Sequence, residues 1–110
     1  MLFEGRFSHA IRKGPLLPPG GAATTALFAA ESITPRAPGA DELRLAEQVM
    51  AAIPFETPVY ARIDLIRDDH GAPRLLELEL TEPSLFFGHA AGAAERFTAA
   101  VLRWREKHAK

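Results

Sequence analysis

The chain has 110 residues, a formal net charge of −1 and no cysteine, and 20 of its apolar residues are alanine. This length supports one small core, and the even charge excludes the basic surface of a protein that binds nucleic acid or an anionic membrane. The lack of cysteine excludes disulfides and thiolate metal sites, and no apolar run is long enough to span a membrane, so we expect a soluble, cytoplasmic protein.

The first elements along the chain are short, and an irregular segment follows them. Residues 2–13 predict two short strands that meet at a turn formed by Glu4 and Gly5. Glycines and prolines are frequent over residues 14–39 and predict an irregular loop there. A strand that begins at residue 2 has no covering neighbour before it, so we expect that an N-terminal part of the domain is missing.

Two helices and a hairpin make up the rest of the chain. Apolar residues at helical spacing predict helices over residues 41–53 and 89–107. Residues 60–67 and 74–80 alternate and predict a hairpin closed by residues 68–73. The fold class is therefore α+β, a small antiparallel sheet with a central hairpin backed by two helices, in a single domain over residues 1–110.

The second helix is expected to supply much of the core. Its predicted buried side contains Ala93, Phe97, Val101 and Trp104. We expect this side to pack on the apolar face of the hairpin, which consists of Ile63, Leu65, Leu76 and Leu78.

The polar face of the hairpin contains the candidate site. In a register that pairs residue 67 with residue 74, Asp64 lies opposite Glu77 and Arg62 lies opposite Glu79. Opposed carboxylates destabilise a bare sheet, and their repulsion should raise the pKa of at least one of them. Mg²⁺ would remove this cost, because it binds carboxylate oxygens. A solvated polar face has the same alternation, so the pattern leaves both interpretations open.

Two further pairs of neighbouring residues have side chains that could form a site. Arg12 and Lys13 lie together at a strand end and could bind phosphate, although such pairs are often only solvated. Ser8 and His9 have no matching acid, and neighbouring strand residues point to opposite faces. For these two residues a place in the core or on the surface is the favoured interpretation.

Three segments of the sequence resemble the ATP-grasp ligases. Residues 60–66 read YARIDLI, residues 75–86 read LLELELTEPSLF, and residues 3–13 read FEGRFSHAIRK. They are similar above all to the bacterial group that contains the D-cycloserine-forming cyclo-ligase. The resemblance implies an ATP- and Mg²⁺-dependent carboxylate–amine ligase, in which ATP phosphorylates a carboxylate and an amine attacks the acyl phosphate. It runs through nearly all of this chain but covers only the C-terminal part of the family's domain.

The resemblance also implies roles for single residues. An Arg-x-Asp strand makes Arg62 the catalytic arginine and Asp64 a magnesium ligand. The remaining magnesium ligands fall on Glu77 and on Glu79, which stands where most of the family has asparagine. Ser84 falls in the region that often holds the substrate. The expected partners are ATP, a small carboxylate and the missing N-terminal ATP-grasp lobe, without which we expect the isolated chain to be inactive.

Two other functions remain as alternatives. The spacing of Asp64, Glu77 and Glu79 roughly fits a Mg²⁺-dependent nuclease, but that class has lysine at the third position and needs a basic face. The second alternative is a non-catalytic α+β interaction domain with a charged hairpin.

Overall fold

The computed structural model describes residues 1–14 and 32–109 and confirms the α+β fold class. The strands are β1 (Leu2–Phe3), β2 (Arg6–Phe7), β3 (Ala10–Lys13), β4 (Ile33–Arg36), β5 (Tyr60–Arg67) and β6 (Pro73–Glu79). The helices are α1 (Ala40–Ala52) and α2 (Ala93–His108), and Phe87–His89 form a short 3-10 helix. Four strands form an antiparallel sheet in the order β2-β1-β5-β6, and β3 pairs with β4. Within the described ranges neither helix is long and apolar enough to cross a membrane.

The first strand and its turn lie where the sequence predicts, but the second predicted strand is divided into β2 and β3. Glu4 and Gly5 connect β1 to β2 with φ values of 52° and 78°. Positive φ at both central residues is what a tight hairpin turn matched to the twist of the strands requires, and glycine adopts it without steric cost. This turn places β1 between β2 and β5.

A strand lies within the segment predicted to be irregular. Ile33–Arg36 form β4, which pairs with β3 so that Ile33 lies opposite Lys13. The β-branched Ile33 and Thr34 favour a strand, and Pro35 is tolerated in a two-stranded ribbon, where one edge needs no partner. The structure therefore differs from the predicted loop at β4, and residues 15–31 of that loop lie outside the described residues.

The hairpin of β5 and β6 contains one irregularity that the alternation does not show. Towards its loop, Arg67 pairs with Pro73 and not with Arg74 as predicted. The register shifts by one residue because β6 has a bulge that leaves Leu76 without an opposite residue. The side chain of Leu76 is 66% exposed, so the prediction that it lies under the second helix is wrong.

An aromatic cluster forms the centre of the fold. The ring of Phe97 in α2 lies 5.3 Å from Phe3, 5.4 Å from Phe87 and 6.0 Å from Tyr60, measured between centroids. Helix α2 thus packs chiefly on β1 and on the 3-10 helix, whereas α1 packs on β6. The hairpin thus contacts α1 through β6 and α2 through the ring of Tyr60. Because β6 is an edge strand of the sheet, the hairpin is not at its centre as predicted.

The buried side of α2 differs from the predicted one. Ala93 and Ala100 are fully buried, and with Phe97 they give the spacing i, i+4, i+7. Val101 and Trp104 are 38% and 44% exposed, so the prediction that they lie in the core is wrong. Alanines allow the helix to lie close to β1, and residues 101–108 at its C-terminal end are all exposed.

Helix α1 is joined to the loop end of the hairpin by charges in its first turn. Arg67 donates to both carboxylate oxygens of Asp41, at 2.8 and 3.1 Å. The backbone N–H of Gly39 donates to the carboxylate of Glu42 at 2.8 Å, which satisfies one donor at the start of the helix. The Arg67 guanidinium lowers the pKa of Asp41 to about 2.

Candidate functional site

The candidate site lies at the end of the hairpin away from its loop, where the predicted register is confirmed. Asp64 lies opposite Glu77, and Arg62 lies opposite Glu79. Because the four residues alternate with Ile63 and Leu78 along the strands, they share one face of the sheet. One arginine and three carboxylates therefore meet there.

Arg62 occupies the middle of this group. Its Nε and Nη2 donate to the two carboxylate oxygens of Asp64, at 3.0 and 3.1 Å, and Nη2 also lies 3.5 Å from Oε2 of Glu77. The side chain of Arg62 is 13% exposed, against 25% for Asp64 and 52% for Glu77. A bidentate pair between half-buried partners fixes the plane of the guanidinium. The group is thus a pre-oriented cation at the bottom of an acidic surface.

The carboxylate of Glu79 is hydrogen-bonded to the turn that follows β6. Its Oε1 accepts hydrogen bonds from the backbone N–H groups of Thr81 and Glu82, both at 2.9 Å, and from the Thr81 hydroxyl at 3.2 Å. The N–H groups of Glu82 and Thr81, with a smaller effect from Arg62, lower the pKa of Glu79. This is opposite to the rise expected from repulsion, because the donors stabilise the charged form.

Magnesium fits this group by donor chemistry, but the ligands are not assembled. The described residues contain no cluster of three acidic, histidine or cysteine side chains arranged to hold a metal ion. Both oxygens of Asp64 face Arg62, and Oε1 of Glu79 faces the turn. Carboxylate oxygens are nevertheless the ligands that Mg²⁺ takes, usually one or two with water and phosphate. Glu77 is exposed, and the oxygens of Asp64 keep lone pairs that the two hydrogen bonds from Arg62 do not use.

The other predicted site residues lie in different places. The carbonyl of Ser84 accepts a long contact of 3.5 Å from Nη1 of Arg62, so the 84–86 segment borders the site. Lys13 places its ammonium group 5.1 Å from the ring centre of Phe86, beside the same segment. Arg12 is exposed on β3, opposite Thr34. Within the described part of the chain, neither Arg12 nor Lys13 forms an ion pair with the carboxylates of the hairpin.

The structure buries His9, in agreement with the favoured interpretation, but Ser8 and His9 also make contacts that the sequence does not indicate. The imidazole of His9 is only 5% exposed; Nδ1 lies 2.8 Å from Oγ of Ser8, and Nε2 lies 2.6 Å from the carbonyl oxygen of Leu85. The alternation argument fails because these residues lie between β2 and β3, outside both strands. Both also line a cavity of about 390 Å³ between β4 and the 3-10 helix. No spacing in the sequence indicates a contact across 76 residues.

Comparison with known proteins identifies a homologue and a solved structure with the same fold. The chain is 36% identical over 104 residues to the cycloserine biosynthesis protein DcsG of Streptomyces lavendulae, a match that covers 90% of this chain and 34% of that protein. The crystal structure of D-cycloserine synthetase DcsG superimposes with a TM-score of 0.78 at 34% identity, over 94% of this chain and 36% of that one. No family model matches the chain. The chain spans about a third of the length of these relatives, and it is homologous to that part of them and has the same fold.

Proposed function

We propose that the chain is the metal- and phosphate-binding part of an ATP- and Mg²⁺-dependent carboxylate–amine ligase that works in the cytoplasm. The observation that carries this proposal is the Arg62 guanidinium fixed between Asp64 and Glu77 on the polar face of the hairpin. Homology to a part of a D-cycloserine synthetase supports a ligase. The ATP-grasp resemblance of the same segments supports the acyl-phosphate route.

Arg62 is oriented to meet a phosphate. Two of its nitrogens, Nε and Nη2, donate to Asp64, while among the described residues Nη1 makes only the 3.5 Å contact with the carbonyl of Ser84. The Nη1 edge therefore has donors to offer to a phosphate oxygen. In phosphoryl transfer a fixed cation stabilises the charge that develops on the transferred group, and little covalent chemistry is required of the protein.

The three carboxylates are the groups of the site that could bind a cation. Asp64, Glu77 and Glu79 surround one arginine, which leaves a local formal charge of about −2. We propose that the three hold Mg²⁺, with Glu77 the most accessible and Asp64 contributing the oxygen lone pairs that its pair with Arg62 leaves free. When bound, the metal would neutralise the phosphate oxygens and hold them in place.

The proposed substrates are ATP and a small carboxylate, joined to an amine. Ser84 lies in the segment that borders Arg62 and is the proposed substrate contact. Arg12 and Lys13 are proposed as further phosphate contacts, since Lys13 lies beside the same segment. Because the chain matches about a third of its relatives, we propose that a second lobe completes the nucleotide site.

The test is the stabilisation of the folded chain by Mg²⁺. A ligand that binds only the folded state stabilises it by about 2.7 kcal/mol at a hundredfold excess over its dissociation constant. We expect millimolar Mg²⁺ to raise the melting temperature of the wild type. The Glu77→Gln variant should lose this rise without losing stability in the absence of metal, because its only described ion pair is the 3.5 Å contact with Arg62.

A matched control separates the site from general charge effects. Glu47 is an exposed glutamate of α1, so Glu47→Gln removes the same charge elsewhere and should keep the full response to Mg²⁺. If Glu77→Gln keeps it as well, the carboxylates form only a solvated face. The chain would then be better described as an interaction domain with a charged hairpin.

A further inference from the structure

The 84–86 segment at the edge of the site is held in place by contacts from three separate parts of the chain. His9 binds the carbonyl of Leu85, Lys13 lies over the ring of Phe86, and Arg62 contacts the carbonyl of Ser84. No regular element contains these residues, since β6 ends at residue 79 and the 3-10 helix begins at residue 87. Besides the backbone hydrogen bond from the N–H of His89 to the carbonyl of Phe86, at 3.1 Å, the segment is held by these side chains.

Phe86 has a backbone conformation that needs such support. Its φ and ψ are 54° and 44°, in the left-handed region that bulky residues rarely adopt. Residues held in this way cluster at functional sites, and they persist only where the surroundings fix them. The ring of Phe86 contacts His89 edge-on at 6.1 Å in addition to the Lys13 ammonium group.

The hydrogen bond between His9 and Leu85 fixes the place of one proton on the imidazole ring. The Leu85 carbonyl can only accept, so Nε2 of His9 must carry a proton and donate at 2.6 Å. In the neutral ring Nδ1 then accepts from the hydroxyl of Ser8 at 2.8 Å, and that hydroxyl accepts from Nε of Arg96 at 3.0 Å. Burial lowers the pKa of His9, and the nearby positive charges of the Met1 amino group and Arg96 lower it further, against the effect of the bond to Leu85.

We propose that His9, as a neutral imidazole protonated on Nε2, is a positioning residue that holds the 84–86 segment against Arg62. Removal of its hydrogen bond frees the Leu85 carbonyl and with it the adjacent carbonyl of Ser84. The guanidinium of Arg62 then loses the contact at its Nη1 edge, the edge that faces the phosphate under the proposed function. This inference rests on the proposed function only for the identity of the ligand. The contacts from His9 to Leu85 and from Ser84 to Arg62 do not depend on the proposed function.

The experiment compares two replacements of His9 by NMR. In His9→Ala both hydrogen bonds are lost, and the signals of the Phe86 amide and of the Arg62 Nη1–H protons, which face the Ser84 carbonyl, should shift. In His9→Gln the side-chain amide can still donate to Leu85 from a place near Nε2, so both signals should return towards their wild-type positions. His70 is an exposed histidine of the hairpin loop, and His70→Ala should leave the signals unchanged.

The tautomer of His9 gives a second, independent measurement. Ring nitrogen shifts of the wild type should show the proton on Nε2, and a proton on Nδ1 alone would overturn the proposal even if His9→Ala fails to fold. The proposal is equally overturned if folded His9→Ala leaves the Arg62 signal in place, or if His9→Gln behaves like His9→Ala. Addition of magnesium pyrophosphate separates the two proposals: if the wild type does not respond, the proposed function fails, while the tautomer and the Arg62 shift still decide the role of His9.

Discussion

Replacing Phe97 by alanine tests the aromatic cluster that holds α2 against β1. Removal of a buried phenylalanine ring costs about 3–5 kcal/mol. Phe97 is half-buried, but three rings surround it, those of Phe3, Tyr60 and Phe87, at 5.3 to 6.0 Å. We therefore expect the free energy of unfolding to fall by about 2–4 kcal/mol, a large part of the total for a domain of this size.

The assay is urea unfolding followed by circular dichroism, with the slope of the transition compared between variants. An unchanged slope means that the shift in midpoint measures stability and not a change in the unfolded state. Trp104→Ala is the control, because Trp104 has the larger ring on the same helix but is 44% exposed and stacks only on His108 at 4.3 Å within the described residues. We expect this control to cost about 1 kcal/mol or less. If Phe97→Ala costs no more than Trp104→Ala, the cluster is not the centre of the fold and the placement of α2 is wrong.

Two further predictions concern charge and activity. The pKa of Asp41, about 2 beside Arg67, lies below that of the unfolded chain, so the pair stabilises the fold above about pH 4 and this contribution disappears as the pH falls through 2. Arg67→Ala should raise the Asp41 pKa towards its ordinary value in an NMR titration, whereas Arg74→Ala, which removes the partner of Asp68, should not. For activity, the proposed function predicts that the 110-residue chain alone releases no phosphate from ATP, because the ATP-grasp ligases that it resembles hold ATP between two lobes; robust turnover would contradict the proposed second lobe.

The part of the hairpin that forms the site could be predicted from the sequence. Alternation places Arg62 and Asp64 on one face, and the same holds for Glu77 and Glu79. Asp is disfavoured in strands, so the residue types alone mark this face as unusual. The side-chain arrangement could not be predicted. Whether Arg62 forms a bidentate ion pair with Asp64 depends on the rotamers of both residues and on the distance to the 84–86 segment.

The packing of α2 could not be predicted from its spacing alone. The sequence offers an apolar stripe through Phe97, Val101 and Trp104, and helical periodicity favours it. The structure buries Ala93, as predicted, but buries Ala100 in place of Val101 and Trp104. Which of two overlapping stripes is buried depends on the partner surface, and β1 comes from the far end of the chain.

The bulge at Leu76 explains why the two ends of the hairpin behave differently. Up to Asp64 and Glu77 the strands keep the predicted register, and every polar side chain of the site stays on one face. Beyond the bulge the register shifts by one, which places Arg67 opposite Pro73 and within reach of Asp41 in α1. A bulge re-aims side chains and is frequent next to functional sites. One extra residue thus allows a single pair of strands to hold an acidic site at one end and a helix at the other, while Leu76 itself stays exposed.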